Sequence, residues 1–124
     1  MGTCRRGVGS YPEALGDGFM IVYPSPQLAV EAGARIIAGM AAVQGDPGVH
    51  ASVHHGLAIP REGDYFGAAV NLTARLLARA DRDELVATRV VVDACPGLDW
   101  EPVGTMQVRG IAGEVEAFRL KHAD

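Results

Sequence analysis

The sequence predicts an α+β domain in which a mostly antiparallel sheet carries its helices on one face. Two amphipathic helical segments alternate with short apolar segments of strand character, and the last part of the chain holds mainly strand patterns. The resulting order, β-β-α-β-α-β-β-β, is typical of an α+β sandwich. The chain has 124 residues and 48% hydrophobic content, which suits one core. We therefore expect residues 1–124 to form a single domain, with a poorly patterned segment at 1–9.

Charge and composition exclude several classes of function. The net charge is −4 and the basic residues form no run, so non-specific nucleic-acid binding is not expected. No apolar stretch is long enough for a membrane span, and "MGTCRRGVGS" lacks the apolar core of a secretion signal. Cys4 and Cys95 match no metal or redox spacing. We expect a cytoplasmic protein without a nucleic-acid partner.

The first half of the chain predicts a hairpin, a helix and a strand. "SYPEALGDGFMIVYP" reads as strand, turn and strand, with the turn at Asp17-Gly18. "SPQLAVEAGARIIAGMAAVQ" reads as a helix, with Ser25 as N-cap and Pro26 at the first helical position. Its predicted buried stripe is Val30, Ala34, Ile37 and Ala41. "GDPG" breaks this helix, and "VHASVHHGLAIP" alternates as a strand.

The second half begins with the loop "REGD" and a helix from about Phe66 to Ala80. "ELVAT" reads as a short strand, whereas "RVVVDACPG" fits a helix or a strand. "LDWEPVGTMQVRG" and "VEAFRL" are predicted to form an antiparallel pair joined through "IAGE". The histidines at 50, 54 and 55 are interpreted as structural or solvent-facing.

The helix of residues 66–80 carries an unusual polar pair. Its predicted core face is formed by Phe66, Ala69, Val70, Thr73, Leu77 and Ala80. Asn71 and Arg75 project to the other side, one turn apart and among small alanines. One interpretation is a solvated helix surface. The other is a pair aimed at a ligand, since a guanidinium can bind phosphate and an amide can both donate and accept.

Three stretches, "GDGF", "HHG" and "GDYFGAAVNLTAR", resemble the catalytic domain of the class III adenylate and guanylate cyclases. The resemblance runs from about Glu13 to Leu120. It implies a ferredoxin-like sheet and the conversion of a purine nucleoside triphosphate into a cyclic nucleotide and pyrophosphate. It also implies Mg²⁺ or Mn²⁺, and an active site shared across a head-to-tail homodimer, or a heterodimer with another cyclase domain.

The resemblance assigns roles to individual residues. Asp17 matches the second metal-binding aspartate, although turn chemistry alone also explains an Asp-Gly pair. Arg75 matches the arginine that stabilises the transition state, and Asn71 matches the asparagine that orients the ribose. Arg109 roughly matches a basic residue that contacts the triphosphate. A solvated arginine at a strand end is an equal alternative for that position.

The chain departs from the family pattern at the first metal-binding aspartate. In the family this residue lies on an opening strand in the middle of the sheet, and Glu13 is the only acidic residue here before Asp17. One carboxylate holds two Mg²⁺ ions poorly. We therefore expect an N-terminally truncated version of the fold, or a gap filled by another segment or by strand exchange. The domain alone should be weak or inactive.

The base-reading positions are mixed. Glu13 is guanine-like, since it would accept from guanine, whereas Asp64 is adenine-like. Neither purine satisfies both carboxylates, although an adenylate cyclase-like preference is expected. Two classes of function remain open at this point: a purine nucleotide cyclase, or a non-catalytic cyclase-homology module that dimerises with or regulates a complete cyclase.

Overall fold

The computed structural model describes residues 2–6, 19–43, 48–56, 59–61 and 64–121. Eight strands and three helices lie in these ranges. The strands are β1 (Gly2–Arg6), β2 (Phe19–Tyr23), β3 (Ala51–His55), β4 (Ile59–Arg61), β5 (Asp64–Phe66), β6 (Leu85–Thr88), β7 (Trp100–Gln107) and β8 (Glu114–Leu120). The helices are α1 (Pro26–Ala41), α2 (Ala68–Leu77) and α3 (Arg89–Ala94). None of these described helices is long and apolar enough to cross a membrane.

Six strands form one sheet in the order β2-β1-β3-β6-β8-β7. All neighbours are antiparallel except β3 and β6, which run parallel. The strands β4 and β5 form a separate antiparallel pair that leads directly into α2. The predicted α+β class and its mostly antiparallel sheet are confirmed, as are the predicted short strand at "ELVAT" and the closing β7–β8 pair.

The helices cover both faces of the sheet, whereas the sequence led us to expect them on one. Ala51 and Val53 of β3 pack in the same cluster as Ala29 and Val30 of α1. Ser52, between them, hydrogen-bonds to α2 instead. Since successive residues of a strand point to opposite faces, α1 and α2 lie on opposite sides of the sheet.

Two apolar cores follow from this arrangement. The first lies between the sheet and the helices α1 and α3, and its buried members are Ala29, Val30, Ala51, Val53, Leu85, Ala87, Val91 and Cys95. The second lies between α2 and the β6–β8–β7 half of the sheet, with Leu72, Leu76, Ala80, Val86, Met106, Val108 and Ala117. The segment "RVVVDACPG", whose sequence fits a helix or a strand, contains the helix α3.

The helix α1 begins as its sequence predicts. Ser25 is the N-cap, and its hydroxyl oxygen accepts a hydrogen bond from the Leu28 N–H at 3.2 Å. The buried stripe is rotated from the predicted one, since Ala29 and Gly33 are buried whereas Ala34 and Ile37 are half-buried. Val30 is buried as expected, but Ala41 is exposed. Small residues rather than a regular apolar stripe therefore determine which side of α1 faces the sheet.

The segment of residues 1–9, which is weakly patterned in sequence, contains the strand β1. It pairs with β2 from Gly2↔Tyr23 to Arg6↔Phe19 and lies between β2 and β3. The predicted turn at Asp17-Gly18 lies outside the described residues. Backbone pairing needs no particular side-chain pattern, which is why the sequence did not reveal this strand.

His54 lies at the centre of the sheet, and its Nδ1 is 2.7 Å from Thr88 Oγ1 of the neighbouring strand. Burial lowers the pKa of His54 from 6.5 to about 4. The folded protein therefore resists protonation at a pH where the unfolded chain accepts it. Stability is unaffected by this group above pH 6.5 and falls as the pH decreases toward 4.

We predict that lowering the pH from 7.5 to 5.0 costs about 1–2 kcal/mol of unfolding free energy through His54. His54→Asn keeps a polar atom near the Nδ1 position but cannot titrate, so its stability should fall less over this range. Urea denaturation at the two pH values measures the difference, with exposed His50→Asn as the matched control. An identical pH dependence for His54→Asn and the unchanged protein would contradict this assignment.

Candidate active site

The helix α2 is fixed by two buried leucines. Leu76 is completely buried and Leu72 is 2% exposed, and both pack in the core shared with β6, β7 and β8. The predicted core face included Thr73 and Ala80, which are buried, but it missed both leucines and instead contained Val70 and Leu77, which are half-buried. The large aliphatic side chains gain most from burial, so the helix is rotated to place them inside.

Three hydrogen bonds hold α2 and the turn after it in one orientation. The Ser52 hydroxyl donates to the Thr73 carbonyl at 2.7 Å, inside the protein. The Thr73 hydroxyl donates to the Ala69 carbonyl one turn earlier. Beyond the end of the helix, the Arg79 guanidinium donates to the Thr105 carbonyl of β7 at 3.1 Å. The first contact ties α2 to β3 and the last ties the turn after α2 to β7, and together they fix the rotation of the helix about its own axis.

Gly56 allows the close approach of α2 to the end of β3. A Cβ at Gly56 would stand 2.7 Å from the Ala69 Cβ and 3.0 Å from His54 Nε2. The first distance is shorter than two carbon atoms tolerate without a shift of the backbone. The glycine of "HHG" and the alanine of "FGAAV" are therefore small because the helix and the strand meet there.

The exposed face of α2 presents Asn71 and Arg75, as predicted. They lie one turn apart on the solvent side, and neither side chain has a hydrogen-bond or ion-pair partner among the described residues. Arg75 lies in the last turn of α2, where a cation interacts favourably with the helix dipole. The pair is thus held by a rigid helix while its polar groups remain available.

The remaining predicted site residues are distributed as follows. Asp17 and Glu13 lie outside the described residues. Asp64 begins β5, with Arg61 of β4 as its register partner, and stands shortly before α2. Arg109 is exposed in the turn after β7, next to Val108, which packs in the same core as Leu72 and Leu76.

The fit of a divalent metal can be tested only on part of the predicted ligand set. Within the described ranges, no three histidine, cysteine, aspartate or glutamate side chains are grouped as metal ligands would be. Two Mg²⁺ ions need several carboxylates in addition to substrate phosphates. The described residues alone do not fit such a centre, and a metal site would need Asp17 together with a further carboxylate.

Sequence reasoning missed the residues that position α2. Ser52 and Gly56 carry signals that are visible only in hindsight, namely a serine inside an apolar strand and a glycine at the strand end. Arg79 resembles any exposed arginine, because its partner is a backbone carbonyl 26 residues away in sequence. The roles of these residues depend on which helices and strands pack together, and the hydrophobic period within one element does not predict that packing.

We predict that Gly56→Ala destabilises the protein by about 1–3 kcal/mol because it overpacks the contact with Ala69. Ala69→Gly alone should cost about 1 kcal/mol through the lower helix propensity of glycine. In the double variant, the second change should relieve most of the first. Chemical denaturation of the four proteins measures this coupling.

Gly97→Ala is the matched control, since nothing lies within 4 Å of the added methyl group. It should change the unfolding free energy by less than about 0.5 kcal/mol. Strictly additive effects of Gly56→Ala and Ala69→Gly would show that the two positions do not meet.

Comparisons with known proteins agree with the sequence resemblance. No protein-family profile matches the chain. A pH-sensitive adenylate cyclase of Mycobacterium tuberculosis is 28% identical over 115 residues, which are 88% of this chain and 29% of that protein. The chain thus spans less than a third of that relative's length.

Solved structures share the architecture at low sequence identity. An adenylate/guanylate cyclase/hydrolase from Silicibacter pomeroyi superimposes with a TM-score of 0.81 at 16% identity, covering 96% of this chain and 94% of that one. The non-canonical dimeric guanylyl cyclase domain of a fusion protein from Blastocladiella emersonii gives a TM-score of 0.70 at 10% identity, covering 96% and 94%. The chain therefore shares the fold of solved adenylate and guanylate cyclase domains, and it is similar in sequence to a mycobacterial adenylate cyclase.

Proposed function

We propose that this domain supplies half of a nucleotide cyclase active site, in which Asn71 and Arg75 act on a purine nucleoside triphosphate. The observation that carries the proposal is the exposed pair, which has no hydrogen-bond or ion-pair partner among the described residues, on a helix whose orientation is fixed by buried contacts. A polar pair that served only solubility would not need such a fixed helix. Preorganised donors of this kind are what charge stabilisation in phosphoryl chemistry requires.

The proposed reaction is the attack of the ribose 3′-oxygen on the α-phosphate, with release of pyrophosphate. The attack breaks the bond between the α- and β-phosphates, and the 3′-hydroxyl loses its proton. Arg75 stabilises the negative charge that develops on the transferred phosphoryl group. Asn71 holds the ribose so that its 3′-oxygen is in line with the leaving group. Arg109, an exposed residue of the turn after β7, would contact the triphosphate.

Base recognition falls to Glu13 and Asp64 in this proposal. Asp64 accepts a hydrogen bond from the adenine amino group, which favours an adenylate cyclase-like preference. Glu13 would meet the adenine N1, which is also an acceptor, so its carboxyl group must be protonated or turned away. A mismatch of this kind costs about 1–3 kcal/mol when it is buried. We therefore expect the domain to bind ATP weakly and to discriminate poorly between ATP and GTP.

The site is completed by a second copy or another cyclase domain in a head-to-tail pair. Asp17 of one copy would then face Asn71 and Arg75 of its partner, with the nucleotide between them. Mg²⁺ or Mn²⁺, when bound, would neutralise the phosphates, and Asp17 would hold it together with a carboxylate from elsewhere. A solved neighbour of the same fold is dimeric, which supports a paired arrangement. The domain alone is expected to be weak or inactive.

A second candidate function is a non-catalytic module that binds a complete cyclase and lends it Asn71 and Arg75. It is favoured by the absence of a metal-ligand cluster among the described residues. The two functions differ in one measurement. Cyclic product from Mn²⁺-ATP or Mn²⁺-GTP with this chain alone supports the enzyme, whereas turnover only after addition of a cyclase lacking its Asn/Arg pair supports the module.

We predict that Arg75→Ala weakens binding of a fluorescent ATP derivative in the presence of Mn²⁺ by about 10- to 100-fold. The loss corresponds to one charge-assisted hydrogen bond of about 1.5–3 kcal/mol. Arg75→Lys should be intermediate, since lysine keeps the charge but not the planar donors. Fluorescence titration of the purified proteins measures the effect.

Arg35→Ala is the matched control. Arg35 is an exposed arginine of α1, on the opposite side of the sheet, and pairs with Glu31 one turn away. Its removal should leave nucleotide binding unchanged. If Arg75→Ala and Arg35→Ala bound the fluorescent ATP derivative with equal affinity, the proposed role of α2 in nucleotide binding would be wrong.

A further inference from the structure

A cavity opens between α1 and the segment that follows α3, on the face of the sheet opposite α2. Its volume is about 540 Å³, within the range of about 300–1,000 Å³ that is typical of small-molecule sites. Val30 and Cys95 belong to the first apolar core, and Leu98 packs against it. The cavity is therefore an opening into that core. Its walls include Val30, Ala34, Ala38, Ala94, Cys95 and Leu98.

The polar groups at one wall of this cavity are engaged within the protein. The Gln27 side-chain amide donates to the Ala94 carbonyl at 2.9 Å and thereby joins α1 to the end of α3. The Cys95 carbonyl accepts hydrogen bonds from the Leu98 N–H at 3.2 Å and from Trp100 Nε1 at 3.4 Å. Because these groups already have partners, a ligand would gain little by offering hydrogen bonds to this wall.

The charges at the edge of the cavity neutralise each other. Among the residues that line it, Arg35 is the only cation and Glu31 the only anion. The Arg35 guanidinium lies 3.0 Å from the Glu31 carboxylate, and the two side chains are 79% and 60% exposed. Both charged groups therefore face water and are paired. An ionic group placed inside the cavity would lose its hydration without gaining a partner, so the cavity suits a neutral occupant.

A second recess adjoins the cavity and limits the size of an apolar occupant. It has a volume of about 770 Å³ and shares Ala34, Ala38 and Leu120 with the cavity. Its walls are more polar, because they also include Glu84, Asp99, Glu101, Arg119 and Lys121. Apolar surface gains free energy from contact with apolar walls, so a hydrocarbon-rich molecule should occupy the cavity and not extend into the recess.

A small molecule fits this surface better than a protein partner does. Stable protein interfaces cover about 800 Å² on each partner around a broad apolar centre. Here the apolar surface is concave and is bordered by the Glu31–Arg35 pair and by the charged recess. The large exposed apolar side chains of the described ranges, Leu28, Val43 and Val90, do not line the cavity. No broad apolar surface therefore continues beyond its edge in this part of the chain.

From these observations we infer that the cavity between α1 and the end of α3 is a binding site for a neutral, largely apolar small molecule. Its affinity comes from the burial of apolar surface between the two walls. Burial raises the pKa of the Cys95 thiol, so this wall also carries no charge near neutral pH. The site lies across the sheet from Asn71 and Arg75, and the inference can hold if the proposed cyclase function fails.

The test uses the complete chain and the neutral fluorescent probe N-phenyl-naphthylamine. Anilinonaphthalene sulfonate is the matched probe, since it has the same rings and one added anionic group. We expect saturable binding of the neutral probe with a dissociation constant on the order of 1–100 μM. The sulfonate should bind at least about 10-fold more weakly. Absence of saturable binding of the neutral probe, or equal affinity for both probes, would overturn the inference.

Cavity-filling variants locate the bound probe. Ala34 is half-buried and Ala38 is exposed at the cavity edge, so Ala38→Phe adds bulk without disturbing the core. Ala34→Phe and Ala38→Phe should each weaken binding of the neutral probe at least about 10-fold. Ala42→Phe is the matched control, because Ala42 is the exposed C-cap of α1 and lines neither opening. Equal affinities for Ala38→Phe and Ala42→Phe would show that the probe binds elsewhere.

Alkylation of Cys95 gives a readout that does not depend on probe fluorescence. The thiol lines the cavity and is 7% exposed, so a bound molecule should shield it. With the probe at ten times its dissociation constant, the reaction of Cys95 with N-ethylmaleimide should slow about 10-fold, since about a tenth of the sites stay empty. Mass spectrometry of the peptide that contains Cys95 measures the rate. An unchanged rate, or a change of oligomeric state in Ala38→Phe during sedimentation, would contradict a small-molecule site.

Discussion

The contact between α2 and β3 is the constraint on which the candidate site depends. Leu72 and Leu76 supply the burial, and the Ser52 hydroxyl fixes the helix through the Thr73 carbonyl. Gly56 removes the Cβ that would hold the two elements apart. The consequence appears on the opposite side of the helix, where Asn71 and Arg75 are exposed and have no hydrogen-bond or ion-pair partner among the described residues. The function we propose for these two residues is therefore a result of packing beneath them.

The other face of the sheet is stabilised differently. There α1 and α3 cover an apolar core. Charged pairs also join strands of the sheet: Arg119 of β8 binds both Glu84 and Glu101, and its guanidinium holds the pKa of the Glu101 carboxyl below its usual range. Such exposed pairs contribute little stability individually. They link β8 to β7 and to the residue that precedes β6.

The sequence was most informative where a local pattern determined the structure. Ser25 and Pro26 predicted the start of α1, and the spacing of Asn71 and Arg75 predicted an exposed pair on α2. It was less informative where the outcome depended on elements meeting. The side of α2 that enters the core differs from the predicted one, because it contains Leu72 and Leu76. The distribution of the helices over two faces of the sheet could not be derived from the hydrophobic period within each segment. The strand β1 was missed because its sequence, "GTCRR", carries no alternating apolar pattern.

Mixing two defective variants tests most directly whether α2 of one copy serves a site on another. Asp17→Ala and Arg75→Ala each damage every site of a homodimer, but a head-to-tail heterodimer retains one undamaged site. After equal mixing and random exchange, about a quarter of the sites should be undamaged. Our account predicts recovery of that fraction of Mn²⁺-dependent binding of fluorescent ATP, with heterodimers quantified by native mass spectrometry. Heterodimers that form without any recovery of binding would contradict a site shared between copies.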